Sequence, residues 1–138
     1  MRPEYLYIAV AALMWGSYPL ILRSSGQGSA MGSLLLMLSG LVPIAAAVIW
    51  QGGWQRPPAI ELTKLAVAGM MMGVGLLTFN AVANSRQIDA SISIPIIDTT
   101  MLVVTVLGAV LFFAEPVTLK KVIGLALLIA GILVVRPE

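Results

Sequence analysis

Asp98 is the residue best placed to do chemistry in this sequence, because it lies about ten residues inside an apolar stretch running from Ile88 to Ala114. An ionised Asp near the middle of a bilayer costs about 2.5–3.5 kcal/mol on insertion scales, so it is expected to face a bundle interior or a water-filled cavity. There it could exchange a proton for a cation. Ser91 and Thr105 stand seven residues to either side, which puts all three on one helix face. Pro95, one turn before Asp98, removes a helical hydrogen bond and is expected to kink the helix. Two blander readings of Asp98 stay open: a protonated acid bonded to a neighbouring helix, or a residue at the mouth of a helix that starts late. Ser91 and Thr105 could simply bond their own backbone.

Other residues form a second tier. Trp15 and Tyr18 are three apart and precede Pro19, a second expected kink. Their ring faces could hold an organic cation or an apolar ring, or pack against lipid or core. Asn80 and Asn84 share one face of another apolar stretch. Amides there usually bond a neighbouring helix, and Asn80 is deep enough to meet a solute. Asp89 beside Arg86 reads as a cap or ion pair. It is nine residues from Asp98, about 13 Å along a helix and on the opposite face, so the two form no dyad. Glu115, near Lys120 and Lys121, reads as fixing a turn. There is no His and no Cys, which excludes imidazole bases, thiol chemistry and the commonest transition-metal ligands. With no metal constellation, no cofactor motif and no Ser nucleophile beside a base, an enzyme is not expected. No filter-like loop or charged ring suggests a channel.

The elements that must position these groups are membrane helices. Of the 138 residues, 59% are hydrophobic and 10% charged, with mean hydropathy +1.01; soluble domains carry roughly 25% charged residues. A bilayer is the solvent that suits this chain. Five spans are predicted: Glu4–Leu22, Ala30–Trp50, Glu61–Ala83, Ile88–Ala114 and Leu119–Val135, against the ~17–25 residues a crossing needs. No charge interrupts Arg23 to Arg56 or Lys64 to Arg86. The first span is longer than the core of a secretory signal and four more follow, so it reads as a retained helix, with no soluble domain appended. Gly52-Gly53 and Pro57-Pro58 punctuate one loop, Asn84–Gln87 forms a polar turn, and Thr118 should cap the last helix. Tyr5, Tyr7, Trp50 and Trp54 sit near span ends as interfacial anchors.

Five crossings put the termini on opposite sides. The N-terminal side holds Arg2, Arg56, Lys64, Lys120 and Lys121, and the other side Arg23, Arg86 and Arg136. That small bias favours a cytoplasmic N-terminus and permits insertion both ways. Scattered single charges and a net +2 give no nucleic-acid footprint. Gly69 and Gly73, and Gly124, Ala126, Ala130 and Gly131, allow close helix packing.

Trp15-Gly16-Ser17-Tyr18-Pro19 resembles the W-G-x-x-P opening of EamA-type domains in the drug/metabolite transporter superfamily. Leu111-Phe112-Phe113-Ala114-Glu115-Pro116-Val117-Thr118, running on through Ile123-Gly124 to Ala130-Gly131, resembles that family's closing pattern, shared in part by small multidrug resistance proteins. The resemblance covers most of the chain. It implies an all-α membrane protein whose single domain, 1–138, is one five-helix half of an inverted-repeat ten-helix transporter. It also implies that the last helix, through Gly124, Ala130 and Gly131, makes the dimer contact, and that the first helix lines the substrate chamber. Two positions depart from the pattern. Trp15 stands where the four-helix relatives carry a membrane-embedded Glu, and Leu102 where EamA-type domains often have Pro.

The expected function is a secondary transporter of a small metabolite or organic cation, possible proton coupling included, acting as an antiparallel homodimer. Asp98, Trp15, Tyr18, Asn80, Ser91 and Thr105 are its candidate substrate or proton sites. The expected setting is a bacterial or archaeal plasma (inner) membrane, crossed several times, with lipids and a small-molecule substrate as partners. Two alternatives stand beside it: a flippase for a lipid-linked sugar, and a non-transporting partner subunit of a heterodimer.

Overall fold

The computed structural model describes residues 3–52 and 56–135. Arg2, Gly53, Trp54 and Arg136 lie outside the described residues. Five helices follow in order: α1 (Pro3–Ser25), α2 (Ala30–Trp50), α3 (Ala59–Ala83), α4 (Ala90–Phe113) and α5 (Leu119–Val135). No strand occurs among the described residues. Helices α1 to α4 are long and apolar enough to cross a membrane. At 17 residues, α5 is about 25 Å long, the lower limit for a crossing.

The helix ends follow local chemistry. Ser29 accepts a hydrogen bond from the Gly32 N–H at 3.3 Å and starts α2 where expected. Thr118 does the same for α5, accepting from the Lys121 N–H at 3.3 Å. Helix α1 outruns its expected end at Leu22, because Ser24 and Ser25 donate back to the carbonyls of Ile21 and Leu22 at 2.6 Å each. It stops at Gly26, whose φ of +67° suits only glycine well. Helix α3 begins two residues before the expected Glu61, directly after Pro58, a residue suited to a helix start. Helix α4 is shorter than the expected Ile88–Ala114. Asp89 is extended (φ −64°, ψ 139°) and offers its carbonyl to the Ile92 and Ser93 N–H groups, while Ala114 turns left-handed at φ 51°. Pro19, Pro43 and Pro95 all lie inside continuous helices.

The chain divides into two compact units, Met1–Ser85 and Arg86–Glu138. In the first, α3 packs on both α1 and α2. In the second, α4 packs on α5. Few side chains are enclosed: Leu22, Ala83 and Pro19 among the apolar ones, Asn80, Ser33 and Ser93 among the polar. The large apolar side chains lie outside, from Tyr5 and Tyr7 near the start of α1 to Trp50, 91% exposed, at the end of α2. A water-soluble fold would not leave so continuous an apolar surface; hydrocarbon is its natural cover.

Candidate functional site

In the first unit the candidate residues gather around α3. Trp15 and Tyr18 meet edge to face, ring centres 5.9 Å apart at 90°. Tyr18 also meets Phe79 of α3 at 5.8 Å and 34°. Trp15 is largely exposed, so α1 presents an aromatic edge braced from behind by α3. Phe79 escaped the sequence reading; its place beside Asn80 was the available signal.

Asn80 is wholly enclosed. Its amide donates to the Ser33 hydroxyl at 2.8 Å and to the Ser29 carbonyl at 3.4 Å. Its own carbonyl oxygen accepts from the Asn84 amide at 2.6 Å. Asn84 also donates to the Asn80 backbone carbonyl at 3.0 Å. This polar knot fastens the end of α3 to the start of α2. Nearby, Arg23 at the end of α1 donates to the Ala83 carbonyl at 3.2 Å. Two glycines make room: a Cβ at Gly28 would come 2.7 Å from the Asn84 Cβ, and one at Gly32 would strike the Gln27 carbonyl. In this structure Asn80 ties two helices together. Ser29 and Ser33 carry that tie and were not singled out from the sequence.

In the second unit Asp98 stands eight residues past Ala90, within α4, so about 12 Å along the axis from the first helical residue. It is exposed, as are Ser91 and Thr105. The three form the expected stripe along one side of an unbroken helix. Thr105 donates to the Met101 carbonyl at 2.9 Å, the backbone habit weighed against it above. Ser93, rather than Ser91, is the buried hydroxyl of this helix, and its Oγ has no partner among the described residues. Asp89 holds the N-cap position through its backbone and makes no side-chain cap bond. Glu115 pairs with Lys121 at 3.0 Å across the α4–α5 turn, as the turn-fixing role requires.

Helices α4 and α5 also frame an open groove of about 420 Å³. Leu102, Thr105, Val106 and Ala109 line one wall and Gly124, Leu125 and Leu128 the other, with Glu115, Lys120 and Lys121 at its turn end. Gly124 therefore belongs to the groove. Gly131 falls about 20° from it on a helical wheel and Ala130 about 120° away, and both are exposed. No cluster of metal-ligating side chains occurs among the described residues.

Residues 2–136 match the EamA-like transporter family. The chain is also similar to proteins named probable 4-amino-4-deoxy-L-arabinose-phosphoundecaprenol flippase subunit ArnE. One, from Yersinia pseudotuberculosis serotype O:1b (strain IP 31758), is 33% identical over 103 residues, 75% of this chain and 88% of the relative. One from Yersinia pestis (strain Pestoides F) is 32% identical over the same shares. No solved structure matches the chain significantly.

Proposed function

The chain belongs to the EamA-like transporter family, and from that premise we propose that it is one subunit of a flippase for a lipid-linked amino sugar. The observation that carries this is its likeness, along 75% of its length, to chains named as subunits of such a flippase. The chemistry of α4 supports it. A lipid-linked solute keeps its tail in hydrocarbon while its head crosses, so the polar groups that guide it belong on a membrane-facing surface. Asp98, Ser91 and Thr105 form such a stripe, exposed along one side of α4. An amino sugar carries an ammonium, and the Asp98 carboxylate is a partner for it inside the membrane. Asn80 serves the fold, tying α3 to α2.

The chain acts as a single five-helix domain in the plasma membrane, paired with a second five-helix chain into a ten-helix inverted assembly. Small residues on α5, Ala130 and Gly131, supply a close contact surface for that pairing. The word subunit in the relatives' names favours a different chain as partner over a second copy.

The test is a reconstitution in vesicles with a fluorescently labelled polyprenyl-phosphate amino sugar, read by a membrane-impermeant quencher. The expected result is protein-dependent loss of inner-leaflet fluorescence, abolished by Asp98→Asn. Exchange of a soluble organic cation with no movement of the labelled lipid would overturn the proposal. That outcome would favour the second reading, a small-solute exchanger formed by two antiparallel copies, which the exposed carboxyl of Asp98 in α4 also suits. Movement by this chain alone would establish pairing between copies.

A further inference from the structure

The groove between α4 and α5 is apolar along its walls except at Thr105, and charged at one end only. Its walls span Ala109 to Leu102 on α4 and Lys121 to Leu128 on α5, each eight residues, about 10 Å of helix from first to last. At the turn end, Lys121 is held by Glu115 at 3.0 Å, whereas Lys120 has no ion-pair partner among the described residues. The lip therefore carries one net positive charge. It also lies at the N-terminus of α5, the positive end of that helix dipole. A Cβ placed on Gly124 meets nothing within 4 Å, so the wall there is open space.

We propose that this groove holds one acyl chain of an anionic phospholipid from the leaflet facing the α4–α5 turn, with its phosphate against Lys120 and Lys121. An amphipathic molecule with a negative head at the interface and a tail in hydrocarbon matches this charge pattern; basic clefts between membrane helices take phospholipid headgroups in the same way. A parallel second copy would set lysines against lysines, and an antiparallel one would set them against the apolar far end of the helix. Glu115 competes with the phosphate for Lys121 and so tunes the site. The groove shares Thr105 with the stripe assigned to the cargo, so the test varies only the lysines, Glu115 and Gly124, which lie outside that stripe.

Purified full-length protein in detergent, titrated with phosphatidylglycerol or phosphatidylcholine and weighed by native mass spectrometry, tests it. Phosphatidylglycerol should be retained in preference to phosphatidylcholine. Each lysine near a membrane surface contributes about fivefold to anionic-lipid binding, so K120Q/K121Q should weaken retention about 25-fold. K64Q, which removes a lysine already paired with Glu61, should leave it unchanged. E115Q, which keeps both lysines and frees Lys121, should tighten it. G124L, which fills the groove without touching a charge, should release the lipid. Equal losses in K64Q and K120Q/K121Q would reduce the effect to general surface charge and overturn the proposal. So would G124L converting a dimer to monomers with the lipid count unchanged, which would make the groove a contact between copies. Displacement of phosphatidylglycerol by an equimolar polyprenyl phosphate would assign the groove to cargo and equally overturn it.

Discussion

Replacing Asn80 asks whether the end of α3 is a dry fastening or a wet site. The side chain is fully enclosed. Its amide donates across to α2 twice, at 2.8 and 3.4 Å, and its oxygen accepts from Asn84 at 2.6 Å. Interhelical hydrogen bonds in membranes average about 0.6 kcal/mol and reach about 1.7. Two such bonds, plus a small cavity, put Asn80→Ala at about 1–3 kcal/mol of lost stability. The orphaned partners soften the loss. Ser33 retains a contact to the Ser29 carbonyl at 3.5 Å, and Asn84 retains the Asn80 backbone carbonyl at 3.0 Å. Asn80→Asp has nearly the same shape yet should cost more than Ala. It loses the amide donor, turns its oxygens on the Ser29 carbonyl, and brings a negative charge into an enclosed site. Thermal unfolding of wild type, Asn80→Ala and Asn80→Asp in one detergent would rank them. A double-mutant cycle with Ser33→Ala should return a coupling of about 0.6–1.7 kcal/mol. If Asn80→Asp proved as stable as Asn80→Ala and the cycle returned no coupling, Asn80 would face a hydrated chamber and the fastening would be refuted.

Three further experiments probe other parts of the molecule. Gly28→Ala should destabilise by about 1–3 kcal/mol, since its Cβ would crowd Asn84. Gly16→Ala, which meets nothing within 4 Å, should not destabilise in the same melting assay. Tyr18→Ala and Phe79→Ala should couple by about 0.5–1.5 kcal/mol in a double-mutant cycle, the range for an aromatic pair, and zero coupling would dissolve the α1–α3 brace. Asp98→Asn, at an exposed position of α4, should leave stability equal or higher, because it removes a charge from the membrane, while abolishing movement of the labelled lipid. A lower melting temperature with transport intact would make Asp98 structural.

The helices were legible because composition leaves water no way to cover this chain and because caps are local signals. Thr118 marks the start of α5 within its own turn. The misjudged ends have equally local but subtler causes: two serines bonding back to extend α1, and an alanine turning left-handed to close α4. The site was legible in part. Seven-residue spacing is enough to align Ser91, Asp98 and Thr105 on one side of a helix. It does not say that Ser93 is the enclosed hydroxyl, because burial depends on what packs against the helix. Nor could spacing pair Asn80 with Ser33, 47 residues away, or Tyr18 with Phe79. Those contacts are made only when helices meet, and nothing in either segment alone specifies its mate.

The second unit sets a helix of 24 residues, α4, beside one of 17, α5. Their lengths, about 36 and 25 Å, straddle the roughly 30 Å of a bilayer's hydrocarbon. No slab of uniform depth can match both. Either α4 leans over or the bilayer dips beside α5, and a dip shortens the passage for any headgroup crossing there. If the bilayer dips, the protein shapes its own solvent: the thinnest oil lies alongside its shortest rod, and lipids of longer tail should slow transport.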